Sequence, residues 1–302
     1  MTTSLTSIAH NVAHRALIYL HDHQDTDIFP ENIPVEPDDP DTVYKPVSEI
    51  GMAAALVLRE GVGGTAQLRA ARELIDSTWR KLREGDLLYE RQVRNCLLTD
   101  PIEVYCHFTY GGHRHRALEQ LTAHNAAVRS MPEVYPNRRL AVANAYRMCG
   151  MSTDDDWESL LRATWLGATP PPWAIDWDTA YSVTHTVFHV TDWGARPGDL
   201  PPDIADYLAT WLPVWTDVWA EVGDWDLVAE LLIVDASLPE PRFDLDVWTR
   251  FAAMQHDDGL MPRDGEPVDD DRVRRFWDHH HATVVAMVAG TLAVSRLLDT
   301  GR

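Results

Sequence analysis

The sequence predicts an all-α fold, an α/α toroid of six inner helices enclosed by about six outer ones, and three observations carry that prediction. Apolar residues recur at helical spacing through most of the chain, and no stretch alternates with the period of a strand. Small-residue-rich, apolar helices begin near positions 46, 101, 137, 178, 225 and 279, with more amphipathic helices between them. Their spacing, roughly 45 residues, is that of a helical-hairpin repeat. A helix apolar all round is covered on both sides, whereas an amphipathic one keeps a face in water. A closed double ring satisfies both kinds of helix. An open solenoid of hairpins is the alternative; the irregular spacing and odd loops favour closure. Residues 1–302 are expected to form one domain.

The elements follow from periodicity and punctuation. Residues 4–24 read as an amphipathic helix, with Ala9, Val12, Ala16, Leu17 and Leu20 on one stripe. The stretch from Phe29 to Pro46 is rich in Pro and Asp and reads as a loop. A helix from about Pro46 to Glu60 stops at Gly61 and Gly63-Gly64, and another runs over about 65–84. Leu87 to Leu98 and Pro101 to Tyr110 are short helices, the second with Asp100 as N-cap and Pro101 at its first position. Helices over 114–129 and 137–149 flank a proline break. Thr153 or Asp154 caps a helix to Leu166, which Pro170 to Pro172 stop. Helices over about 176–192, Pro202 to Val222, Trp225 to Leu238, Phe243 to Met254 and Phe276 to Leu298 complete the chain, with a turn-rich acidic loop over 256–275.

Charge narrows the function. A net charge of −21 argues against nucleic acid, whose phosphates need a basic surface, and disfavours anionic membranes. Cys96, Cys106 and Cys149 are an odd number without CxxC spacing, which fits a reducing cytoplasm. The N-terminus lacks a basic region followed by an apolar run, so no signal peptide is expected, and no stretch approaches the ~20 apolar residues of a membrane span. No Gly-rich phosphate loop or GxSxG elbow is present, so no nucleotide cofactor is expected. The oligomeric state is not legible.

Fourteen histidines are many for so acidic a chain, and the sharpest pattern among them lies in the stretch from Asp178 to Asp192. Tyr181, His185, His189 and Asp192 follow at steps of four, four and three and share one helical face. Two histidines one turn apart can present nitrogens to one metal ion. A third ligand is sought among His279, His280 and His281, with His281 first, and Asp192 or Asp278 is a direct ligand or fixes an imidazole tautomer. Such a set suits Zn²⁺, Fe²⁺ or Cu²⁺. A metal-free polar pocket and purely structural histidines are the competing readings. Tyr181 and the pair Glu103/His107, four apart, are candidates for proton transfer. Glu230 and Asp235 interrupt a very apolar helix and need partners such as Arg139 or Arg147 if buried. Trp173, Trp177, Trp193, Trp225 and Trp277 sit at helix ends, where they either line the mouth or pack it.

Two segments resemble known toroids. The Gln255-His-Asp-Asp-Gly259 stretch resembles the Gln-x-x-Asp-Gly turn of terpene cyclases and prenyltransferases, and Thr283 to Ala293 resembles the inner helix that follows it. The Cys106-His107 pair before Gly111-Gly112 is faintly similar to the Cys-His-Gly of lanthipeptide cyclases, with the glycine displaced and no second well-placed cysteine. Tyr44-Lys-Pro46 and Thr184 to Gly194 also resemble marks of an actinobacterial family carried as a domain of unknown function. The Asp-x-Asp-Asp of protonating cyclases and the Asp-Asp-x-x-Asp of ionising ones are missing, so the resemblance implies architecture rather than activity. The expectation is a cytoplasmic, metal-dependent enzyme of specialised metabolism acting on a small-molecule or peptidyl substrate by lyase, cyclase or oxidative chemistry. A non-catalytic helical binding protein and a metal-free acid–base cyclase are the alternatives.

Overall fold

The computed structural model describes residues 4–24, 29, 33–35, 44–127, 135–151 and 154–300. Among them the regular structure is helical throughout: α1 (Leu5–Asp22), α2 (Tyr44–Glu60), α3 (Thr65–Lys81), α4 (Asp86–Arg94), α5 (Asp100–Tyr110), α6 (Arg116–Ala127), α7 (Pro136–Met148), α8 (Trp157–Arg162), α9 (Trp177–Val190), α10 (Pro202–Val222), α11 (Trp225–Ser237), α12 (Leu245–Met254) and α13 (Arg272–Thr300). The all-α expectation holds, and most of the helices start and stop within a few residues of the positions that periodicity predicts.

The differences have local causes. Thr99, not Asp100, is the N-cap of α5, with Asp100 and Pro101 as its first helical residues. Asp156 caps α8 by accepting from the Ser159 N–H, and Asp154 lies outside the helix; Thr153 falls outside the described residues. That helix stops at Arg162 because the chain turns into a tight 3-10 segment, Leu166–Ala168, where the Thr164 hydroxyl accepts from the Gly167 N–H. The last helix begins four residues early, since Asp271 accepts from the Val273 and Arg274 N–H groups and starts α13 inside the expected loop. Its apolar stretch is also longer than expected. By length and composition α13 matches a membrane span, though 72% of that window is buried inside the protein. It packs against α1, α2 and α11.

Six helices organise the rest. Contacts run from α2 to α5, α7, α9, α11 and α13, and from α13 back to α2. Outside this cycle, α3 lies on α2, α4 on α5, α8 on α7 and α10 on α11, while α1 covers α13 and also meets α3 and α12. Side-chain contacts show that the six run in one direction. At their C-terminal ends, Arg59 of α2 donates to the Asp192 and Trp193 carbonyls just past α9, at 2.9 and 2.6 Å. Tyr110 of α5 donates to Asp192, and Arg147 of α7 to the His189 and Val190 carbonyls. Arg296 of α13 donates to the Leu238 carbonyl just past α11, and Ser295 to Glu60 of α2. At their N-terminal ends, Tyr181 of α9 and His281 of α13 both reach Asp226 of α11, and Arg138 of α7 reaches Glu103 of α5.

The Gln255–Gly259 turn holds α1 onto this assembly. Its Gln255 amide donates to the Val12 carbonyl of α1 and to the Gly259 carbonyl, so the resemblance to the toroid turn corresponds to a structural clamp. Gly259 has φ +99°, and a Cβ there would sit 2.2 Å from the Arg15 carbonyl oxygen, which only glycine permits. Where α1 crosses α13, a Cβ on Gly290 would meet the Ala9 carbonyl at 2.4 Å. Leu17, Leu20, Met287 and Val288 are fully or almost fully buried at this layer, each worth about 1.5–3 kcal/mol of apolar burial.

Candidate functional site

Two joined cavities, of about 400 and about 640 Å³, lie among the six helices. The smaller is lined from every one of the six, by Glu49, Glu103, Asn144, His189, Glu230 and His281 among others. The larger opens over α9, α11 and α13 and is lined by Trp177, Tyr181, Asp226, Arg263 and Asp278. Lys45, Glu49, His185, Glu230 and His281 belong to both and form their common wall.

That wall is the chemical centre. His281 donates from Nδ1 to Asp226 Oδ1 at 2.7 Å, and its Nε2 faces Glu230 Oε1 at 3.7 Å and Glu49 Oε1 at 3.9 Å. His185 Nε2 approaches the same Glu230 oxygen from α9 at 3.7 Å. The other Asp226 oxygen accepts from Tyr181 at 2.6 Å, and the other Glu230 oxygen accepts from the Thr184 hydroxyl. Lys45 lies 3.9 Å from Glu49. Asp226 and Glu230 are buried, and a buried carboxylate is costly unless paired. Asp226 sits in the first turn of α11, where the positive end of the helix dipole offsets part of that cost.

The titrations follow from this crowding. Burial alone pulls the His281 imidazole down, but the Asp226 and Glu49 carboxylates outweigh it and push it up to about 10. The reverse holds for the acids: burial raises Asp226 and Glu49, His281 outweighs it, and both end below the usual carboxylate range. Tyr181 is pushed far up by burial and by Asp226, so it keeps its proton and acts as a fixed donor. Among the described residues, Asp226, Glu230 and His281 are the one set of three whose ligand atoms lie within 4.8 Å of one another and suit a metal ion.

The residues singled out from sequence divide between this centre and other places. Tyr181, His185 and His281 are in it. His189, one turn below His185 with ring centroids 6.3 Å apart, faces the deeper cavity instead. Burial, reinforced by His185 and Arg138, holds its pKa well below the ordinary value, so it is neutral. His280 turns away: its Nδ1 donates to the Trp277 carbonyl and its Nε2 lies 3.5 Å from Glu49. His279 accepts the Arg263 N–H on Nδ1 and holds the loop before α13. Asp192 stands at the opposite end of α9 with φ +50°, bound by Tyr110 and beside Arg59, so it takes no place near His281. Asp278 lines the outer cavity.

Glu103 does not orient His107. It accepts from Arg138 at 2.5 Å, while His107 is buried with its Nδ1 unpartnered and its pKa pushed down to about 3 by burial and by Arg59. Asp235 accepts the Arg242 and Phe243 N–H groups, Glu230 accepts from Thr184, and Arg147 pairs with Asp199 rather than with either α11 carboxylate. Of the five tryptophans, Trp177 and Trp193 line the cavities, Trp173 is exposed, Trp225 is packed away, and Trp277 packs edge-on against Phe29 and Phe276. Sequence reasoning missed Glu49 and Asp226. Asp226 and Glu230 are four apart on an apolar helix, the same signal that picked out His185 and His189, and Lys45 and Glu49 repeat it on α2.

No curated protein and no solved structure matches the chain. A family model does, over residues 13–291, and the chain belongs to the family described as a domain of unknown function, DUF6895.

Proposed function

We propose that this protein is an α/α-toroid enzyme that holds a divalent transition metal on Asp226, Glu230 and His281 and performs lyase or cyclase chemistry on a small-molecule or peptidyl substrate in its central cavity. The closed order of contacts and the common helix direction support the toroid, and the continuity of the buried core supports one domain. The observation that carries the metal is charge. Three carboxylates, Glu49, Asp226 and Glu230, converge on the His281 imidazole, with Lys45 beside Glu49, so acidic ligand oxygens gather around one ring nitrogen. A divalent ion that displaces the His281 Nε2 proton offsets this concentration of carboxylates. Asp226 already fixes the His281 tautomer that leaves Nε2 free for the ion. Two carboxylates and one imidazole suit Zn²⁺, Fe²⁺ or Mn²⁺ better than Cu²⁺. When bound, the ion supplies Lewis acidity. The chain's own groups position and move protons: Tyr181 holds Asp226, Thr184 holds Glu230, and His185, half-exposed to both cavities, is placed to exchange a proton with substrate.

Elemental analysis and calorimetry with Zn²⁺, Mn²⁺ and anaerobic Fe²⁺ test this. About one ion per chain is expected, lost in Glu230→Gln and His281→Ala and kept in His280→Ala. Absence of binding by the wild type overturns it. One observation favours a second reading: the short Nδ1 contact to Asp226, with two further carboxylates facing Nε2, also describes an imidazolium acid held ready without metal. In that case His281→Ala abolishes turnover while chelators leave it unchanged.

A further inference from the structure

The deeper cavity ends in polar groups that the centre above it does not use. His107, 8% exposed, has no partner for Nδ1. Asn144, 2% exposed, gives its Oδ1 to Arg147, but its Nδ2 reaches only the Met148 sulfur at 3.5 Å, a weak acceptor. His189 and Arg138 line the same space from α9 and α7. A buried polar group left without a good partner is costly, so a structure that places two of them on one cavity wall has a ligand as its natural partner. Between this pole and Glu230 the wall is apolar, with Met52, Val104, Phe188, Trp193 and Val285.

The chemistry of the pole is donor-rich. Each neutral imidazole carries one N–H, Asn144 offers an amide N–H, and Arg138 offers a guanidinium. Two carboxylates line the cavity beside it: Glu103, which accepts from Arg138 through Oε2 at 2.5 Å and leaves Oε1 without a partner, and Asp100, which pairs with Arg91. The charges that act on His107 and His189 are those of Arg59, Arg138 and Arg147, the opposite of the carboxylates that surround His281. The two ends of the cavity therefore differ, with three carboxylates around His281 at the centre and imidazole, amide and guanidinium donors, the last paired with Glu103, at the deep end.

We propose that His107, Asn144, His189 and Arg138 form a subsite for the carboxylate of an elongated, otherwise apolar substrate whose other end reaches the Glu230–His281 centre. The statement about which end reacts rests on the enzyme reading above; the subsite itself does not. A cavity of about 400 Å³ accommodates a ligand of that kind.

Calorimetry with three probes of one shape, 4-phenylbutyrate, 4-phenylbutanol and 4-phenylbutylamine, tests it on the full chain. The acid is expected to bind about tenfold or more tightly than the alcohol, since charge-assisted hydrogen bonds are the stronger kind. Asn144→Leu and His107→Phe should bring the acid to within about threefold of the alcohol and leave the alcohol unchanged. If neither variant folds, Arg138→Gln, at the rim of the cavity, should weaken the acid alone by about threefold to tenfold. Equal binding of acid and alcohol, preference for the amine, binding of none of the three, or an acid preference that survives these substitutions overturns the subsite. Glu230→Gln separates the two proposals. It should lose metal and keep the acid preference, so a chain that binds no metal but prefers the acid sinks only the metal centre.

Discussion

The two ends of the six-helix cycle are built in opposite ways. At the C-terminal end, carbonyls that have no partner within their own helices are taken by arginines: Arg59 on Asp192 and Trp193, Arg147 on His189 and Val190, Arg296 on Leu238 and Pro239. Each cation also lies where the negative end of a helix dipole favours it. At the N-terminal end, carboxylates gather in excess of cations around an open space, and the helix dipoles there favour anions. Helix polarity therefore assigns the roles: one end suits closure by basic side chains, and the other suits an acidic site.

The sharpest way to break this comparison is to remove one charge from each end. Arg59 is largely buried and holds two carbonyls and Glu60. Arg59→Leu leaves those acceptors unpaired and should cost about 3–5 kcal/mol in denaturant unfolding. Glu49→Gln removes a carboxylate that His281 holds below its usual range but leaves His281 facing Asp226 and Glu230, and should cost no more than about 1–2 kcal/mol. Comparable losses in the two variants would show that both ends are structural.

The contrast was only half legible in sequence. Starts near 46, 101, 137, 178 and 225 were readable because Pro and Asp at helix starts and small apolar residues within them are local signals, and the observed helices begin at Tyr44, Asp100, Pro136, Trp177 and Trp225. The His185/His189 pair was readable as one face of one helix. That the face divides, with His185 on the acidic wall and His189 in the deep cavity, depends on which neighbours α11 and α7 present. Asp192 looked equivalent to the histidines because the helix was expected to reach it. It lies instead past the end of α9, in left-handed backbone. Glu49 is not singled out by sequence because one acid in a helix carries no partner with it, and only the return of α13 against α2 brings His281 to it.

Outside the cavity, Gly259→Ala tests how tightly the turn before α13 holds α1. The new Cβ meets the Arg15 carbonyl at 2.2 Å, and the residue must keep a left-handed φ. The expected loss is about 2–4 kcal/mol, with metal stoichiometry unchanged in the protein that remains folded. A smaller loss would mean that α1 can lift from the Gln255–Gly259 turn.

The deep cavity gives a pH test. His107 has a folded pKa of about 3, below its unfolded value near 6.5. The unfolded chain therefore binds the extra proton first, and stability falls as pH drops from about 6.5 toward 3. His107→Phe should remove part of this dependence, so that wild type and variant differ by about 1–3 kcal/mol less at pH 4.5 than at pH 7.5, the variant being favoured by acid. Parallel stability curves would show that neither burial nor Arg59 holds the His107 pKa down.

The smallest expected effect separates three adjacent histidines. His279 accepts the Arg263 N–H, His280 donates to the Trp277 carbonyl, and His281 belongs to the acidic wall. His279→Ala strands a backbone donor in the loop before α13 and should cost about 1–2 kcal/mol without touching metal binding. His281→Ala removes a cation from a wall that already has excess negative charge, yet also removes a ligand, so its main effect should be on metal content. Thermal melts and elemental analysis on the two variants, side by side, give opposite rankings if the wall is the site. If His279→Ala is the variant that loses metal, the ion is held by the outer cavity around Asp278 and Asp264 rather than by Asp226, Glu230 and His281.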